Sequence, residues 1–200
     1  MSAVAAEGRL PTATSGDRAP AWWGMLVLIA TEATFFGALI FSYFYLALDK
    51  SQWPPAGIKP PELARPLIGT ALLWGSSLPM WWAEHSARKG LMGRVALSLA
   101  VSMGMSTMFF LIQMLEYATK EFGPQVNAYT SIFYAITAFH GMHVFVALIM
   151  SAVVQVRVWL GHFTAERHLA IQVLGLYWHF VGLVWVFILG SLYISPHLLQ

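Results

Sequence analysis

The chain has 200 residues, of which 58% are hydrophobic and only 10% are charged, and its mean hydropathy is +0.64. This composition excludes an ordinary soluble domain and indicates an integral membrane protein. The formal net charge of +2 gives no reason to expect a nucleic-acid partner, and the lack of cysteine excludes disulfides and thiolate metal sites.

Residues 1–21 have no apolar run behind a basic start, so they are predicted to form a flexible cytoplasmic tail rather than a signal peptide. The rest, 22–200, is predicted to be one membrane domain. Five of its stretches reach the roughly 20 apolar residues that a helix needs to cross a bilayer. Because lipid cannot satisfy free backbone groups, we expect an all-α fold, a polytopic membrane helical bundle. The five predicted transmembrane helices lie at about 22–48, 66–86, 92–117, 129–158 and 169–193.

Five crossings place the termini on opposite sides of the membrane, and the basic residues predict the orientation. Seven share the side of the N-terminus: Arg9, Arg18, Arg88, Lys89, Arg94, Arg157 and Arg167. Four lie on the other side: Lys50, Lys59, Arg65 and Lys120. The N-terminus is therefore predicted inside and the C-terminus outside.

Small features predict how the helices are shaped and packed. The longest loop, roughly 49–65, contains two Pro-Pro pairs and is expected to be an ordered external cover. Pro79 removes a backbone donor and is expected to kink the second helix. Ser98, Ser102 and Ser106 recur every four residues, which favours close approach of another helix.

Glu32 lies roughly 15 Å into the first helix by helical rise. An ionisable residue at such depth is a functional hypothesis by default. Two interpretations remain open: a carboxyl that handles protons or contacts a ligand, or a hydrogen-bonded acid that locks helices together. His179 lies at a similar distance into the fifth helix, which enters from the same side. Glu32 and His179 are therefore predicted to share a depth, where they could interact.

His140 and His143 project from one face of the fourth helix because three residues separate them. With His179 they invite a haem or copper site, since imidazole is the commonest metal ligand. The alternative, hydrogen bonding between packed helices, is favoured because no HExxH and no repeated Glu-x-x-His motif accompanies them. No metal is assigned.

Polar residues also stand near the ends of the spans, where we interpret them as solvated or headgroup-level helix ends. They are Glu84, His85, Gln113, Glu116 and Tyr117. Arg157 ends the fourth span near His162, where it is expected to bind a lipid phosphate or to extend its charge to the interface.

Seven short motifs follow one another along most of the chain. They are Thr31-Glu32-Ala33-Thr34-Phe35-Phe36-Gly37, Trp53-Pro54-Pro55-Ala56-Gly57-Ile58, Trp82-Ala83-Glu84-His85-Ser86, Gln113-x-x-Glu116-Tyr117, Phe139-His140-Gly141-Met142-His143, His162-Phe163-Thr164 and Tyr177-Trp178-His179-Phe180-Val181. Each alone is weak evidence. In this order, the motifs resemble subunit III of the haem-copper cytochrome oxidases, in a short five-helix bacterial form.

The resemblance implies an accessory subunit of a proton-pumping cytochrome c oxidase, with no catalytic residue and no cofactor of its own. Haem and copper would lie in partner subunits. The chain would dock on catalytic subunit I, in a complex with subunit II, in the bacterial inner (plasma) membrane. It would bind phospholipids, stabilise the catalytic subunit and support proton uptake. The matching positions are Glu32 as a buried carboxyl, His140, His143 and His179 as a structural polar network, and Arg157, His162 and His85 as lipid-headgroup candidates.

The chain also departs from the family pattern. Gly182 replaces a common Asp, Glu84 replaces a common His, and the first two helices of seven-helix members are missing, so the lipid cleft is open or completed by a neighbouring subunit. The Trp-Pro-Pro loop and the Gln-x-x-Glu-Tyr run favour the cytochrome c branch over a partner of a quinol oxidase or nitric oxide reductase. Less favoured are a self-contained haem or metal redox protein and a small transporter with Glu32 as its proton site.

Overall fold

The computed structural model of the chain describes residues 19–48, 50, 52–55, 57–58, 61–120 and 122–198. These residues form helices, turns and connecting segments, with no strand among them. Most of the predicted tail, 1–18, lies outside the described residues, as do Lys59 and Ala56 of the long loop.

The helices follow one another in a simple order. They are α1 (Pro20–Leu48), α2 (Ala64–Gly75), α3 (Ser77–Arg88), α4 (Met92–Thr119), α5 (Ala128–Trp159), α6 (Leu169–Ile188), a π-helical turn (Leu189–Ile194) and α7 (Ser195–Leu198). Within the described part, four helical stretches are long and apolar enough to cross a membrane: α1, α4, α5 and the continuous run Leu169–Leu198. These four match predicted spans to within a few residues at most ends.

The second predicted span, 66–86, differs because it is two short helices rather than one. The break falls at Ser76, three residues before Pro79. Proline has no N–H to donate to the carbonyl of Gly75, so the helical ladder is interrupted there. The Ser76 hydroxyl turns back and donates to the carbonyl of Leu73 at 2.6 Å. The kink expected from Pro79 is therefore a break one turn earlier.

The last long helix, α6, lies at the centre of the bundle, where it contacts α1, α5, α2 and α3. In the most apolar stretch of the run Leu169–Leu198, which α6 begins, 61% of the residues are buried, against 11% in α1. Helix α1 packs on α5 and α6 along one side only, and the rest of its surface faces outward.

The serine stripe of α4 packs closely against the break, as its spacing predicts. Ser102 donates to the carbonyl of Ser76 at 2.8 Å, and the hydroxyls of Ser106 and Ser76 are 3.1 Å apart. From α6, the indole of Trp178 donates to the Ser76 hydroxyl at 2.9 Å. Ser76 thus joins three helices in a buried polar contact.

The long loop packs over one end of the bundle through Trp53. Its ring is buried, with centroids 5.6 Å from Tyr43 of α1 and 5.1 Å from Tyr129 of α5. The described part of the loop therefore covers this end of the bundle through Trp53, and its external position stays a prediction.

Candidate functional site

Glu32 of α1 pairs with His143 of α5. The Oε2 atom of the carboxyl lies 3.1 Å from Nε2 of the imidazole, whose Nδ1 lies 2.7 Å from the carbonyl of Phe139. A carbonyl only accepts, so Nδ1 carries a proton. One further proton must lie between Nε2 and Oε2 for those atoms to bond. The pair therefore holds one shared proton and stays neutral overall, which limits the cost of placing it in a bilayer.

Aromatic rings enclose this pair. Phe36 meets the His143 ring edge-on with centroids 5.1 Å apart, and Tyr177 of α6 stacks against it at 6.4 Å. The His143 side chain is 8% exposed and that of Glu32 is 28% exposed. The carboxyl is thus the side of the pair that faces out of the bundle.

A second acid–histidine pair joins α3 to α6. Nε2 of His179 lies 3.5 Å from Oε1 of Glu84, and this buried oxygen has no hydrogen-bond partner among the described residues. The Glu84 carboxyl lies directly on Gly175, where an added Cβ would overlap it. The imidazole of His179 is the outward half of the pair, with 41% of its side chain exposed.

The two pairs lie at one level of the bundle, because Tyr177 contacts His143 and His179 follows two residues later on α6. The suggested interaction between Glu32 and His179 is nevertheless wrong, since His179 pairs with Glu84 and Glu32 pairs with His143. The depth of each residue could be counted from the start of its helix. The rotation of each helix about its own axis could not be predicted from the sequence.

His140 belongs to neither pair. It is 1% exposed, stacks on Trp185 at 5.1 Å, and meets Phe36 and Phe109 edge-on at 6.3 and 6.1 Å. Neither ring nitrogen has a hydrogen-bond partner in the part of the chain that the structure describes. Three histidine, aspartate or glutamate side chains do not converge as metal ligands anywhere in the described part of the chain. His140 and His143 therefore share the ring of Phe36, whereas His179 lies against Glu84.

A third polar cluster lies at the end of α4, where solvated residues were expected. Gln113 and Glu116 are instead buried, so that interpretation is wrong for both. Glu116 accepts from Lys120 at 2.7 Å and from the hydroxyl of Tyr193 at 3.2 Å. The Lys120 ammonium also lies 4.8 Å from the ring centre of Phe133. The i,i+4 spacing of Glu116 and Lys120 was the available signal for this cluster.

The lipid-headgroup candidates lie on two elements. Arg157 and His162 are exposed at the end of α5, and the Arg157 guanidinium stacks over Phe163 at 5.1 Å. His85 is exposed on α3 and stacks on Trp81 at 5.3 Å. The loops that follow these helices touch where Gly90 approaches Ala165.

Comparison with known proteins gives the same family throughout. The family described as cytochrome c oxidase subunit III matches residues 6–196. Cytochrome c oxidase subunit 3 of Myxine glutinosa is 33% identical over 177 residues, which are 86% of this chain and 68% of that protein. The Gallus gallus protein of the same name is 33% identical over 92% of this chain and 71% of its own length. The Sus scrofa protein is 32% identical over 86% and 68%.

These matches span the helices that carry both acid–histidine pairs, the serine contact and the buried Glu116 cluster. The order of motifs, the apolar helical bundle and the extent of the matches agree. The chain belongs to the cytochrome c oxidase subunit III family.

Proposed function

We propose that this chain is the accessory, non-redox subunit III of a proton-pumping haem-copper terminal oxidase that couples cytochrome c oxidation to O₂ reduction. The observation that carries the proposal is the match over residues 6–196, nearly the whole chain. The chain stabilises the catalytic subunit I, in a complex that includes subunit II. Haem and copper belong to those partners.

The environments of the histidines support a non-redox role for the chain itself. His143 is engaged by Glu32 and by the Phe139 carbonyl, and His179 faces Glu84. His140 is enclosed by aromatic rings, one of which, Phe36, also contacts His143. The three side chains act as a polar network between helices.

The Glu32–His143 pair supports a part in proton uptake. A pair that shares one proton passes it between two atoms 3.1 Å apart without a change in net charge. Such exchange is cheap in a low-dielectric medium, where separated charges are costly. The Glu32 carboxyl, whose side chain is 28% exposed, is the part of the pair that contacts the surroundings of the bundle.

Phospholipid binding is the second role. Arg157 presents its guanidinium at the end of α5 and has no carboxylate partner within the described residues. With the exposed His162, and with His85 on α3, it offers hydrogen-bond donors at headgroup level. Guanidinium groups suit phosphate because their donors form a planar fork.

The membrane topology proposed is five crossings with the N-terminus in the cytoplasm, behind a tail over 1–21. Helices α2 and α3 together form the second crossing, because 25 residues from Ala64 to Arg88 span roughly 37 Å at helical rise. The membrane is the bacterial inner membrane. The seven-to-four distribution of basic residues supports this orientation.

The cytochrome c branch is proposed over a quinol oxidase or nitric oxide reductase partner. The three relatives described above are all cytochrome c oxidase subunits that align over more than four fifths of this chain.

The test is a mild-detergent purification of the tagged chain from its native membrane, with a reduced-minus-oxidised spectrum and mass identification of each co-purifying chain. We expect haem together with a large catalytic subunit, and loss of the haem signal when this chain alone is separated. A colourless chain without partners would overturn the proposal. Haem retained by the separated chain would overturn the non-redox assignment. Oxidation of quinol instead of reduced cytochrome c would overturn only the branch.

A further inference from the structure

The exposed face of α6 carries a polar side chain within the bilayer. Every fourth residue along this face reaches the surface: His179, whose side chain is 41% exposed, then Leu183 at 53% and Phe187 at 59%. We call these three residues the α6 strip. The strip lies beside α3, since Nε2 of His179 is 3.5 Å from the carboxyl of Glu84 on that helix.

The hydrogen bonding of His179 is incomplete. His143 and His197 each place Nδ1 on the carbonyl four residues earlier, at 2.7 and 2.9 Å. Nδ1 of His179 has no such bond to the carbonyl of Gly175 within the described part of the chain. Nε2 stays 3.5 Å from a Glu84 oxygen that makes no hydrogen bond there, so the imidazole has an unused donor and an unused acceptor.

Lipid tails cannot supply a hydrogen-bond partner. His179 lies at the level of the Glu32–His143 pair, whose residues stand near the middle of α1 and α5, and ionisable side chains at such depth face protein or a water-filled cavity. The outward faces of α4 and α5 differ in this respect. Their exposed large residues are apolar along the middle of each helix, as lipid contact requires: Leu97, Val101, Met108 and Leu111 on α4, and Phe139, Phe145, Val146 and Ile149 on α5.

We propose that the α6 strip is the surface on which a transmembrane helix of the partner subunit docks, with a polar side chain of that helix hydrogen-bonded to the imidazole of His179. Leu183 and Phe187 provide the apolar contact one and two turns further along. This inference rests on the proposed function, because it requires a partner within the membrane.

The test is site-specific photocross-linking in the native membrane. A benzophenone side chain is introduced at Leu183 or Phe187, and at Leu111 on α4 or Phe145 on α5 as equally exposed controls. We expect an adduct with the haem-bearing subunit from the two strip positions, and several-fold less from the controls. Adducts with that subunit only from Leu111 or Phe145 would overturn the interface, as would strip positions that react with lipid alone.

A second measurement addresses His179 itself. His179→Leu should lower the amount of this chain retained per haem after a detergent wash, by about tenfold if one interhelical hydrogen bond is lost. His179→Gln, which keeps a side chain that can donate and accept a hydrogen bond, should restore most of it. His197→Leu is the control, since Nδ1 of His197 is already hydrogen-bonded to the carbonyl of Tyr193 within the chain. Equal retention of the Leu and wild-type chains would contradict the role of His179.

The two proposals fail in different ways. If the wild-type chain co-purifies with haem and the strip does not cross-link, the interface is wrong and the subunit assignment stands. If the wild-type chain brings no haem protein with it, both are wrong.

Discussion

The carboxyl of Glu84 rests on Gly175, and this contact holds α3 against α6. Any side chain at residue 175 would overlap the carboxyl. Gly175→Ala is expected to destabilise the chain by about 1–3 kcal/mol, the usual cost of overpacking. The measurement is the temperature at which half of this chain has dissociated from the purified complex.

Two further variants identify the cause of that loss. Gly141→Ala on α5 is the matched control, because an added Cβ there meets nothing within 4 Å. Gly175→Ala combined with Glu84→Ala should recover most of the lost stability, since the group that clashes is gone. A double variant as unstable as the single one would show that Gly175 matters for another reason.

Ser76 joins three helices at the break between α2 and α3. Ser76→Ala leaves the indole of Trp178 and the hydroxyl of Ser106 without their acceptor, and a buried unsatisfied donor costs about 1–3 kcal/mol. We expect a lower unfolding midpoint in denaturant titrations. Ser42→Ala is the control, because its hydroxyl bonds only to the carbonyl of Ala38 on its own helix. Equal midpoints for the two variants would contradict a structural role for the contact.

Glu32→Gln removes the shared proton from the pair with His143 while keeping a side chain of the same shape. The haem spectra of the complex should stay unchanged, because the chain holds no haem in our proposal. The active lifetime of the oxidase during turnover should shorten, since the subunit no longer supports proton uptake. Turnover number against time measures this, and Glu62→Gln, an exposed acid beside α2, is the control. Haem lost from the Glu32→Gln complex would contradict the assignment.

Arg157→Ala removes the exposed guanidinium at the end of α5. The amount of anionic phospholipid that co-purifies with the complex should fall, measured by lipid mass spectrometry per haem. Arg94→Ala, an exposed arginine at the start of α4, should have a smaller effect. If the lipid content is the same in the Arg157→Ala and wild-type complexes, Arg157 does not bind a headgroup.

The sequence predicted the lengths of four long helices well because apolar runs report directly on the thickness they must cross. It predicted a close helix approach from the Ser98, Ser102 and Ser106 spacing, and the structure confirms that approach. The sequence also predicted that Pro79 would disturb its helix. It did not predict the position of the break, because that depends on which nearby group replaces the lost hydrogen bond, and Ser76 was one of several candidates.

The pairing of the buried acids and histidines could not be predicted for a different reason. In a soluble protein, the apolar periodicity of a helix shows which face is buried. Helix α5 is apolar on nearly every side, so its sequence does not show which face turns toward the other helices. Glu32 and His143 are 111 residues apart in the chain. Their contact is decided by how α1 packs on α5, which is a matter of shape rather than polarity.

The π-helical turn over Leu189–Ile194 sets the direction of every side chain that follows it. Such a turn contains one residue more than an α-helical turn, so the same residues wound as a regular α-helix would carry the side chain of Tyr193 about 100° around the helix axis. Its hydroxyl would then leave Glu116, and the end of α4 would lose this link to the last helix. At this end of the bundle the number of residues matters as much as their chemistry.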